Sequence, residues 1–381
     1  MKKRQRIVFI ATNETHRWGG SEYCWSAAAE RLAEHGVQVH VSIKRWDEPV
    51  KQVEHLRSVG CQIFYRPEPS LPERIRRRIF LRKGYALHHV QSVGTGADLI
   101  VISQSKNMDG CIWMEAARTC GFRYAAIAQT AAEHWWPDDE SAKKLADAYE
   151  GACRAFFVSE ANLALTRRQL STALPRGRVI RNPFSVKYDA QPLWPGNSEE
   201  GLSLACVARL EVHQKGQDLL MQTLDLPHWR ARKVRLTLAG TGVHEGSLKR
   251  LAETLKLPNV SFAGFVDDIE KLWSSHHALI LPSRYEGMPL ALVEAMLCGR
   301  PSIVTDVAGH RELIRDNING FIAKAPTVEL LDEAMNRAWE NQPNLKKMGD
   351  TASADVRRWV SSDPIGDFVR ELDSLVNGAS C

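Results

Sequence analysis

Two glutamates, Glu286 and Glu294, stand eight residues apart in the C-terminal half of the chain. An apolar run ending at Leu281 precedes them, and Pro289 lies where proline suits the first turn of a helix, because its missing N–H would have no partner there. We therefore expect a turn at Glu286 and a helix from Pro289 that Gly299 terminates. The free amides of such a helix start form a partial positive pole that attracts anions. Taken alone, both glutamates would also fit an exposed surface.

Two cations lie six residues apart near the start of the same half. Arg209 and Lys215 follow a predicted strand over residues 202–207. Fixed cations of this kind stabilise negative charge on a bound anion without a metal ion, although by themselves they would also fit solvated loop charges. Gly240 opens a later turn that is one residue too long for G-x-G-x-x-G, so it is not predicted to be a dinucleotide fingerprint.

In the N-terminal half, Gly19 and Gly20 follow the first predicted strand. They precede Ser21, which we expect to cap a helix over residues 21–35. Paired glycines let backbone amides approach a ligand closely, although a tight strand-to-helix turn would use the same residues.

Short β-rich runs alternate with amphipathic stretches along the chain, which predicts βαβ units and parallel sheets. Strands are predicted at residues 7–11, 37–43, 61–65, 98–102, 123–128, 154–158, 178–180, 202–207, 234–239, 260–262, 278–281 and 302–305. Residues 183–201 hold three prolines and two glycines without any period, and are predicted to be a linker. The expected fold class is α/β, with two Rossmann-like, doubly wound domains facing each other across a cleft.

A chain of 381 residues exceeds what one hydrophobic core usually supports. We assign residues 1–188 to an N-terminal Rossmann-like domain and 189–360 to a C-terminal one. Residues 361–381 are predicted to form a C-terminal helix that could cross back to the N-terminal domain.

The segment 281–301 resembles the E-x7-E signature of retaining, two-domain glycosyltransferases of the GT-B fold, in the large family 4 group. The resemblance covers nearly the whole chain, and it implies that the N-terminal domain, 1–188, binds the acceptor and that the C-terminal domain, 189–360, binds the nucleotide sugar. It implies that Glu286 binds hydroxyls of the donor sugar, that Glu294 binds the ribose diol, and that Arg209 and Lys215 clamp the diphosphate. Backbone amides between the two glutamates would meet the diphosphate or the sugar. The donor-binding residues implied there are Gly287, Met288, Pro289 and Leu290.

Weaker motifs extend the same resemblance. It implies that Gly240 belongs to the family's glycine turn, that the backbone near Phe265 and Val266 reads the base, and that a loop at the acceptor and donor phosphates contains Gly19 and Gly20.

The family often has a histidine close behind the strand that precedes residues 127–137. His134 is assigned a catalytic role on that basis, with Glu133 as a competing candidate. Both lie four or more residues beyond the expected strand end. His134 could equally pack among the tryptophans that follow it.

No cofactor is expected beyond a nucleoside diphosphate sugar as co-substrate, and no metal. The eight cysteines are scattered without a C-x-x-C pair, and the loops of the N-terminal half lack a D-x-D signature. The apolar run at 7–11 is too short for a signal peptide, and no run approaches the roughly 20 apolar residues of a membrane span. We therefore expect a cytoplasmic protein.

Charge is distributed unevenly. Residues 1–188 hold 29 Lys and Arg against 19 Asp and Glu, whereas residues 189–381 hold 21 against 26. A basic N-terminal half favours an anionic or lipid-linked acceptor, such as one used in cell-envelope polysaccharide assembly. Residues 73–83 are basic with apolar residues at four-residue spacing, which fits either a peripheral contact with the inner face of an anionic membrane or an ordinary surface helix. Aromatic residues are not interleaved with these charges, so no nucleic-acid partner is expected.

The predicted activity is a metal-independent, retaining, hexosyltransferase-like transfer of a sugar to an acceptor hydroxyl, on a saccharide or a lipid-linked glycan. Two alternatives remain: a sugar-nucleotide epimerase on the same scaffold, which would act without an acceptor, and a non-catalytic protein that binds sugar nucleotides or glycans, which would bind donor without turnover.

Overall fold

The computed structural model describes residues 4–15, 17–66, 82–196 and 201–378. These residues form two compact units. The first contains the chain up to Pro183 together with the residues from Asp363 onward, and the second spans Phe184–Ser362.

The first unit is built on a parallel seven-stranded sheet. Its strands are β1 (Arg6–Ala11), β2 (Gln38–Lys44), β3 (Gln62–Arg66), β4 (Leu99–Gln104), β5 (Tyr124–Ala128), β6 (Arg154–Phe157) and β7 (Gly177–Val179). Their spatial order, β3-β2-β1-β4-β5-β6-β7, is the doubly wound order of a Rossmann fold with one further edge strand.

Helices cover both faces of this sheet. They are α1 (Gly20–Glu34), α2 (Lys51–Ser58), α3 (Arg82–Gly94), α4 (Cys111–Thr119), α5 (Asp139–Glu150) and α6 (Glu160–Leu170). Alternate residues of β1 enter separate cores: Ile7 and Phe9 pack with Trp25 of α1, whereas Val8 and Ile10 pack with Met114 of α4. A strand buried on both faces explains why its sequence is a continuous apolar run and not an alternating one.

The second unit contains a parallel six-stranded sheet. Its strands are β8 (Leu202–Val207), β9 (Val234–Ala239), β10 (Val260–Gly264), β11 (Ala278–Leu281), β12 (Ser302–Thr305) and β13 (Gly320–Ala323). The order β10-β9-β8-β11-β12-β13 repeats the Rossmann pattern. The helices of this unit are α7 (Val212–Lys215), α8 (Gln217–Leu224), α9 (Pro227–Arg230), α10 (Glu245–Thr254), α11 (Ile269–Trp273), α12 (Leu290–Leu297), α13 (His310–Leu313), α14 (Val328–Glu340) and α15 (Leu345–Trp359), with a short 3₁₀ turn at Gln342–Asn344.

A last helix, α16 (Pro364–Asn377), belongs to the first unit. Asp363 caps it by accepting a hydrogen bond from the backbone of Gly366, and the same carboxylate forms an ion pair with Arg31 of α1 at 2.6 Å. Phe368 lies edge-to-face with Phe156 of β6, with ring centroids 5.3 Å apart, and thereby fixes the end of the chain to the first sheet.

The predicted fold class is confirmed as two Rossmann-like α/β units. Every predicted strand is present, with ends shifted by at most two residues. The sequence analysis missed β13, because four residues directly after the turn at Asn319 are too few to show a period. Within the described part of the predicted linker, residues 183–196 and 201, there is no helix or strand.

The prediction that Ser21 caps the first helix was wrong. The helix begins at Gly20, and Gly19 is its N-cap in an extended conformation with no side-chain cap hydrogen bond. The Ser21 hydroxyl instead donates to the Glu22 carboxylate at 2.6 Å. The side chain of Ser21 lies inside the first turn, where it cannot reach the free amides ahead of it.

In the described ranges, no helix combines the length and apolar character that crossing a bilayer requires.

Candidate functional site

Most of the predicted residues of the C-terminal half lie on segments that follow strand ends at one edge of the second sheet. Parallel strands of one sheet end at the same edge, and β8 and β11 flank the point where the strand order reverses. Arg209 and Lys215 follow β8, and Glu286 follows β11. The topology thus brings together segments that are more than seventy residues apart in the chain.

Lys215 and Glu286 form an ion pair at the centre of this edge. The ammonium of Lys215 donates to Oε1 of Glu286 at 2.5 Å, and the hydroxyl of Ser283 donates to the same oxygen at 2.9 Å. The Glu286 side chain is 5% exposed and that of Lys215 13%. A cation and a hydroxyl-accepting carboxylate therefore adjoin in a nearly dry site, where their electrostatic effect is larger than in water.

Gln214 links this pair to Arg209. Its amide oxygen accepts from the guanidinium of Arg209 at 2.9 Å, and its amide nitrogen approaches Oε2 of Glu286 at 3.5 Å. Arg209 also forms an ion pair with Glu211 at 2.8 Å, and its side chain keeps 39% of its exposure. The predicted pair of cations thus belongs to one network, in which Lys215 is mostly buried and Arg209 borders solvent.

Gly216 explains how the loop after β8 reaches the loop after β11. Its φ is +67°, and a Cβ at this position would stand 2.0 Å from the carbonyl oxygen of Pro282. Only glycine allows these two backbones to approach so closely. The backbone N–H of Arg284 then donates to the carbonyl of Gln214 at 2.7 Å and joins the loops directly.

Arg284 also anchors the turn that carries Glu286. Its guanidinium makes two hydrogen bonds of 2.8 Å with the carboxylate of Asp218 on α8. Burial works against ionisation of this aspartate, but the Arg284 guanidinium outweighs it and holds the pKa of Asp218 below its usual value. The turn is therefore held by the side chain of Arg284 as well as by the backbone hydrogen bond from Arg284 to Gln214.

The helix after the turn begins one residue later than predicted. Pro289 is the N-cap, with φ −67° and ψ 126°, and α12 starts at Leu290. An extended ψ removes Pro289 from the helix although its φ is compatible with one. Met288 is buried, and the carbonyl of Gly287 accepts a 3.4 Å hydrogen bond from the backbone of Gly309.

Glu294 lies within α12 and contacts the segment that opens the second unit. Its Oε1 accepts from the backbone N–H of Ser185 at 2.8 Å and from the Ser185 hydroxyl at 2.7 Å. Burial raises the pKa of Glu294, and the two Ser185 hydrogen bonds oppose that rise. Among the described residues, the hydrogen bonds of Glu294 go to Ser185 and those of Glu286 to Lys215, Ser283 and Gln214, and the predicted roles of the two glutamates toward one ligand stay a prediction.

The two weaker motifs lie on the neighbouring loops of the same edge. Gly240 follows β9 with φ +143°, and a Cβ there would meet the carbonyl oxygen of Ala208 at 2.1 Å. Its backbone N–H donates to the carbonyl of Gly264 at 2.7 Å. Phe265 follows β10 with 70% of its surface exposed, and Val266 is half-buried.

The predicted residues of the N-terminal half belong to the first unit. Gly19 and Gly20 lie at the start of α1, after β1. His134 is exposed and meets the Trp135 ring edge-on, with centroids 5.5 Å apart, whereas Glu133 forms an ion pair with Arg168 at 3.2 Å. These contacts leave the catalytic role of His134 a prediction.

A buried carboxyl group near β1 was missed by the sequence analysis. Glu22, on the first turn of α1, is 3% exposed, and burial raises its pKa to about 7, although hydrogen bonds from Ser21 and Asn13 oppose the rise. Asp109 accepts from the Thr12 hydroxyl at 2.9 Å, and burial raises its pKa to about 6. In the sequence, Glu22 looks like an ordinary acidic residue in the first turn of a helix that follows two glycines. Its neighbours in the sequence therefore do not indicate that it is buried.

The remaining residues missed by the sequence analysis are Gln214, Ser283, Arg284, Asp218 and Ser185. Gln214, Ser283 and Arg284 are immediate neighbours of predicted site residues, and adjacency was the available signal. Asp218 and Ser185 have no such signal, because only the folded chain brings them to the site.

Clusters of three or more His, Cys, Asp or Glu side chains arranged to hold a metal ion are absent from the portion of the chain that the structure describes. The basic segment 73–83, for which a membrane contact was considered, falls almost wholly outside the described residues.

The two Rossmann-like units, with parallel sheets of seven and six strands, constitute the GT-B fold of glycosyltransferases. Residues 195–355, which contain the whole network around Lys215 and Glu286, match the family model of glycosyl transferases group 1.

Two curated proteins illustrate the sequence similarity. EpsD of Bacillus subtilis, named as a glycosyltransferase, is 31% identical over 45% of this chain and 45% of its own length. WclY of Escherichia coli, an O-antigen biosynthesis glycosyltransferase, is 29% identical over 39% of this chain and 40% of its own. The chain thus matches less than half the length of each of these relatives.

The similarity of fold extends further than that of sequence. The crystal structure of HepE from Anabaena, in complex with UDP and glucose, superposes with a TM-score of 0.75 over 97% of this chain and 100% of the other, at 18% identity.

Proposed function

We propose that this protein is a retaining, metal-independent glycosyltransferase of the family 4 type, which transfers a hexosyl unit from a nucleoside diphosphate sugar to an acceptor hydroxyl. The observation that carries the proposal is the network of Arg209, Gln214, Lys215 and Glu286 at the reversal point of the second sheet. It lies within the residues that match the glycosyl transferases group 1 model.

Each charged group of the network has a role in this reaction. The cations Arg209 and Lys215 bind the diphosphate, which gains negative charge as the bond from the sugar C1 to the phosphate oxygen breaks. Glu286 accepts hydrogen bonds from hydroxyls of the donor sugar, and Glu294 from the ribose diol. Until donor binds, Glu286 neutralises Lys215, and this pairing limits the cost of burying either charge.

The acceptor hydroxyl attacks C1 on the face from which the diphosphate leaves. Its oxygen forms the new bond to C1, and its proton passes to the phosphate oxygen that departs, so no protein nucleophile is required. The protein contributes positioning and charge stabilisation. His134 of the first unit is retained as a candidate catalytic residue, and Gly19 and Gly20 as phosphate contacts.

The acceptor proposed is a saccharide or lipid-linked glycan used in envelope polysaccharide synthesis. The excess of ten basic residues in the N-terminal half supports an anionic acceptor. The name of WclY, which refers to O-antigen biosynthesis, supports the same class of product. A peripheral position at the inner face of a membrane follows as part of this proposal.

The test is a thermal-shift panel of UDP-, ADP- and GDP-sugars, followed by a transfer assay with the best donor. A matched donor stabilises the folded state by mass action, by about 2.7 kcal/mol at a hundredfold excess over Kd. Lys215→Ala and Glu286→Gln are expected to reduce turnover by at least about a hundredfold. Lys249→Ala and Glu245→Gln, which break an exposed ion pair of the same unit, are the matched controls. Near-wild-type turnover in both site variants would refute the proposal.

A further inference from the structure

One tryptophan of the first unit has no role in any of the steps above. All eleven tryptophans of the chain lie in the described ranges, and Trp136, at 61%, is the only one that is exposed, whereas the others are buried or half-buried. An indole ring left in water forgoes the free energy that its burial would contribute. Trp136 lies on the loop after β5, at the edge where parallel strands end and where such sheets bind ligands. The position of this exposed ring therefore suits ligand binding.

The tryptophan before it is covered by its neighbours. The ammonium of Lys106, on the loop after β4, lies 4.8 Å from the ring centroid of Trp135, and the ring of His134 meets the same indole edge-on. Trp135 thereby packs against the neighbouring loop. In the described ranges the ring of Trp136 has no aromatic or cationic contact of this kind, so most of its indole is open to solvent.

Buried side chains fix the loop on which Trp136 lies. The backbone N–H of Asn107 donates to the carbonyl of Thr130 at 2.9 Å and joins the loops after β4 and β5. The buried Asn107 amide donates to the side-chain oxygens of Thr166 and Gln169 on α6, each at 2.9 Å. The Gln169 amide in turn donates to the carbonyl of Ala132 at 2.8 Å. A helix and a second loop thus hold the segment that leads to Trp136.

The backbone on both sides of Trp136 is also constrained. A backbone hydrogen bond of 3.1 Å closes the turn over residues 132–135. Pro137 follows directly and restricts the conformation of the residue before it. Asp138 then caps α5 by accepting a backbone hydrogen bond of 2.8 Å from its first turn. Trp136 is therefore presented to solvent by a fixed backbone, which lowers the entropic cost of binding a ligand there.

The surroundings of Trp136 favour a sugar over a lipid surface. Three consecutive acidic residues, Asp138–Glu140, follow it and are exposed. Their charge would be repelled by an anionic membrane. Carboxylates accept hydrogen bonds from hydroxyls, which a sugar carries around its ring. The C–H groups on one face of a pyranose are apolar and slightly positive, and they suit the negative face of an indole.

We propose that Trp136 binds the acceptor glycan, with its indole stacked on the ring of an uncharged pyranose and the carboxylates of Asp138–Glu140 accepting from hydroxyls of that sugar. The inference rests on the proposed function and makes its acceptor more specific: a saccharide with at least one uncharged ring. Trp136 is then a binding residue for the acceptor, and it takes no part in binding the donor.

The experiment screens the protein, saturated with the best nucleoside diphosphate of the panel, against an array of bacterial surface glycans. Calorimetry then gives the affinity for the glycan that binds best. Trp136→Leu keeps an apolar side chain without a ring, and Trp136→Tyr keeps a ring. We expect Trp136→Leu to bind this glycan about 10-fold or more weakly and Trp136→Tyr to stay within about threefold of wild type. Both variants should keep the thermal shift given by the donor, since an exposed side chain contributes little to folding.

Other occupants of the Trp136 surface give different results. Equal glycan affinity of wild type and Trp136→Leu would overturn the proposal, as would wild-type protein that binds the donor and none of the arrayed glycans. The proposal would also fail if Trp136→Leu left glycan binding intact and instead lowered cosedimentation with phosphatidylcholine vesicles, or dissociated an oligomer in sedimentation velocity. Failure of wild-type protein to bind any diphosphate or sugar nucleotide would instead refute the proposed function.

Discussion

Removing either charge of the Lys215–Glu286 pair should destabilise the protein, whereas removing both should cost much less than the sum. Lys215→Met and Glu286→Gln preserve side-chain volume and delete one charge each. Breaking a buried ion pair typically costs about 3–5 kcal/mol, because the remaining charge stays buried without a partner. Lys215 keeps 13% of its side-chain exposure, which places the cost near the lower end, at about 3 kcal/mol for each single variant.

The corresponding shift in melting temperature follows from the size of the unit. Phe184–Ser362 is about 180 residues, for which 1 kcal/mol lowers the Tm by about 2–4 °C. Each single variant should therefore melt about 6–12 °C lower in differential scanning calorimetry. The double variant should recover about 3 kcal/mol relative to the sum of the single losses, because no isolated charge remains. Transfer activity should stay absent in the double variant, since both groups are assigned to donor binding.

Additive destabilisation, with a coupling energy below about 0.5 kcal/mol, would show that the two charges do not stabilise each other. Recovery of activity in the double variant would show that the pair has only a structural role. The exposed pair Lys249–Glu245 is the matched control, and its double-mutant cycle should give a coupling of about 0.5 kcal/mol or less.

Three further predictions concern the backbone, a buried carboxyl group and a basic segment. Gly216→Ala should lower the free energy of unfolding in urea by more than about 2 kcal/mol, because its Cβ would strike the carbonyl of Pro282. Gly264 has the same φ of +67° but open space around it, so Gly264→Ala should lower the free energy of unfolding by only about 1 kcal/mol. Equal losses for the two variants would contradict the clash. Since the pKa of Glu22 rises from 4.5 to about 7 on folding, the native state keeps a proton that the unfolded chain loses, and stability should fall by about 3 kcal/mol as the pH rises through that window. In unfolding curves taken between pH 5 and 8, Glu22→Gln should remove most of this fall and leave the part below about pH 6 that the raised pKa of Asp109 contributes; an unchanged fall between pH 6 and 8 would contradict the prediction. Changing Arg76, Arg77 and Arg78 to glutamate should weaken cosedimentation with anionic vesicles by about a hundredfold or more and leave neutral vesicles unaffected, and unchanged cosedimentation would exclude the membrane contact.

The sequence predicted the strands accurately because the central parallel strands of these sheets are buried on both faces. Ala278–Leu281 is apolar throughout and Leu202–Val207 contains one polar residue, Ser203, so composition alone nearly delimits them. Helix starts were less predictable. Two glycines and a serine stand at the start of α1, Gly19 as its N-cap and Gly20 and Ser21 in its first turn, and the choice of cap depends on backbone angles that residue types do not determine.

The site was predictable where its chemistry lies in one continuous motif. Glu286 and Lys215 each belong to a short, recognisable loop, and the strand order then brings them together. Ser185 illustrates the opposite case. It comes from an aperiodic linker, and its two hydrogen bonds to Glu294 arise only because that linker folds back onto α12. A contact between a linker and a helix more than a hundred residues later has no local signature.

His310 shows that the surroundings of a buried histidine depend on partners that its sequence motif does not reveal. In sequence it begins a short helix after Gly309 and suggests no more than a polar side chain near a turn. In the fold, the carbonyl of Thr305 accepts a hydrogen bond from one ring nitrogen, and the other is buried without a partner among the described residues. Because β8 and β11 end at the same edge, their two loops contribute distinct properties, cationic charge and a carboxylate. The first suits a diphosphate, and the second suits the hydroxyls of a sugar attached to it.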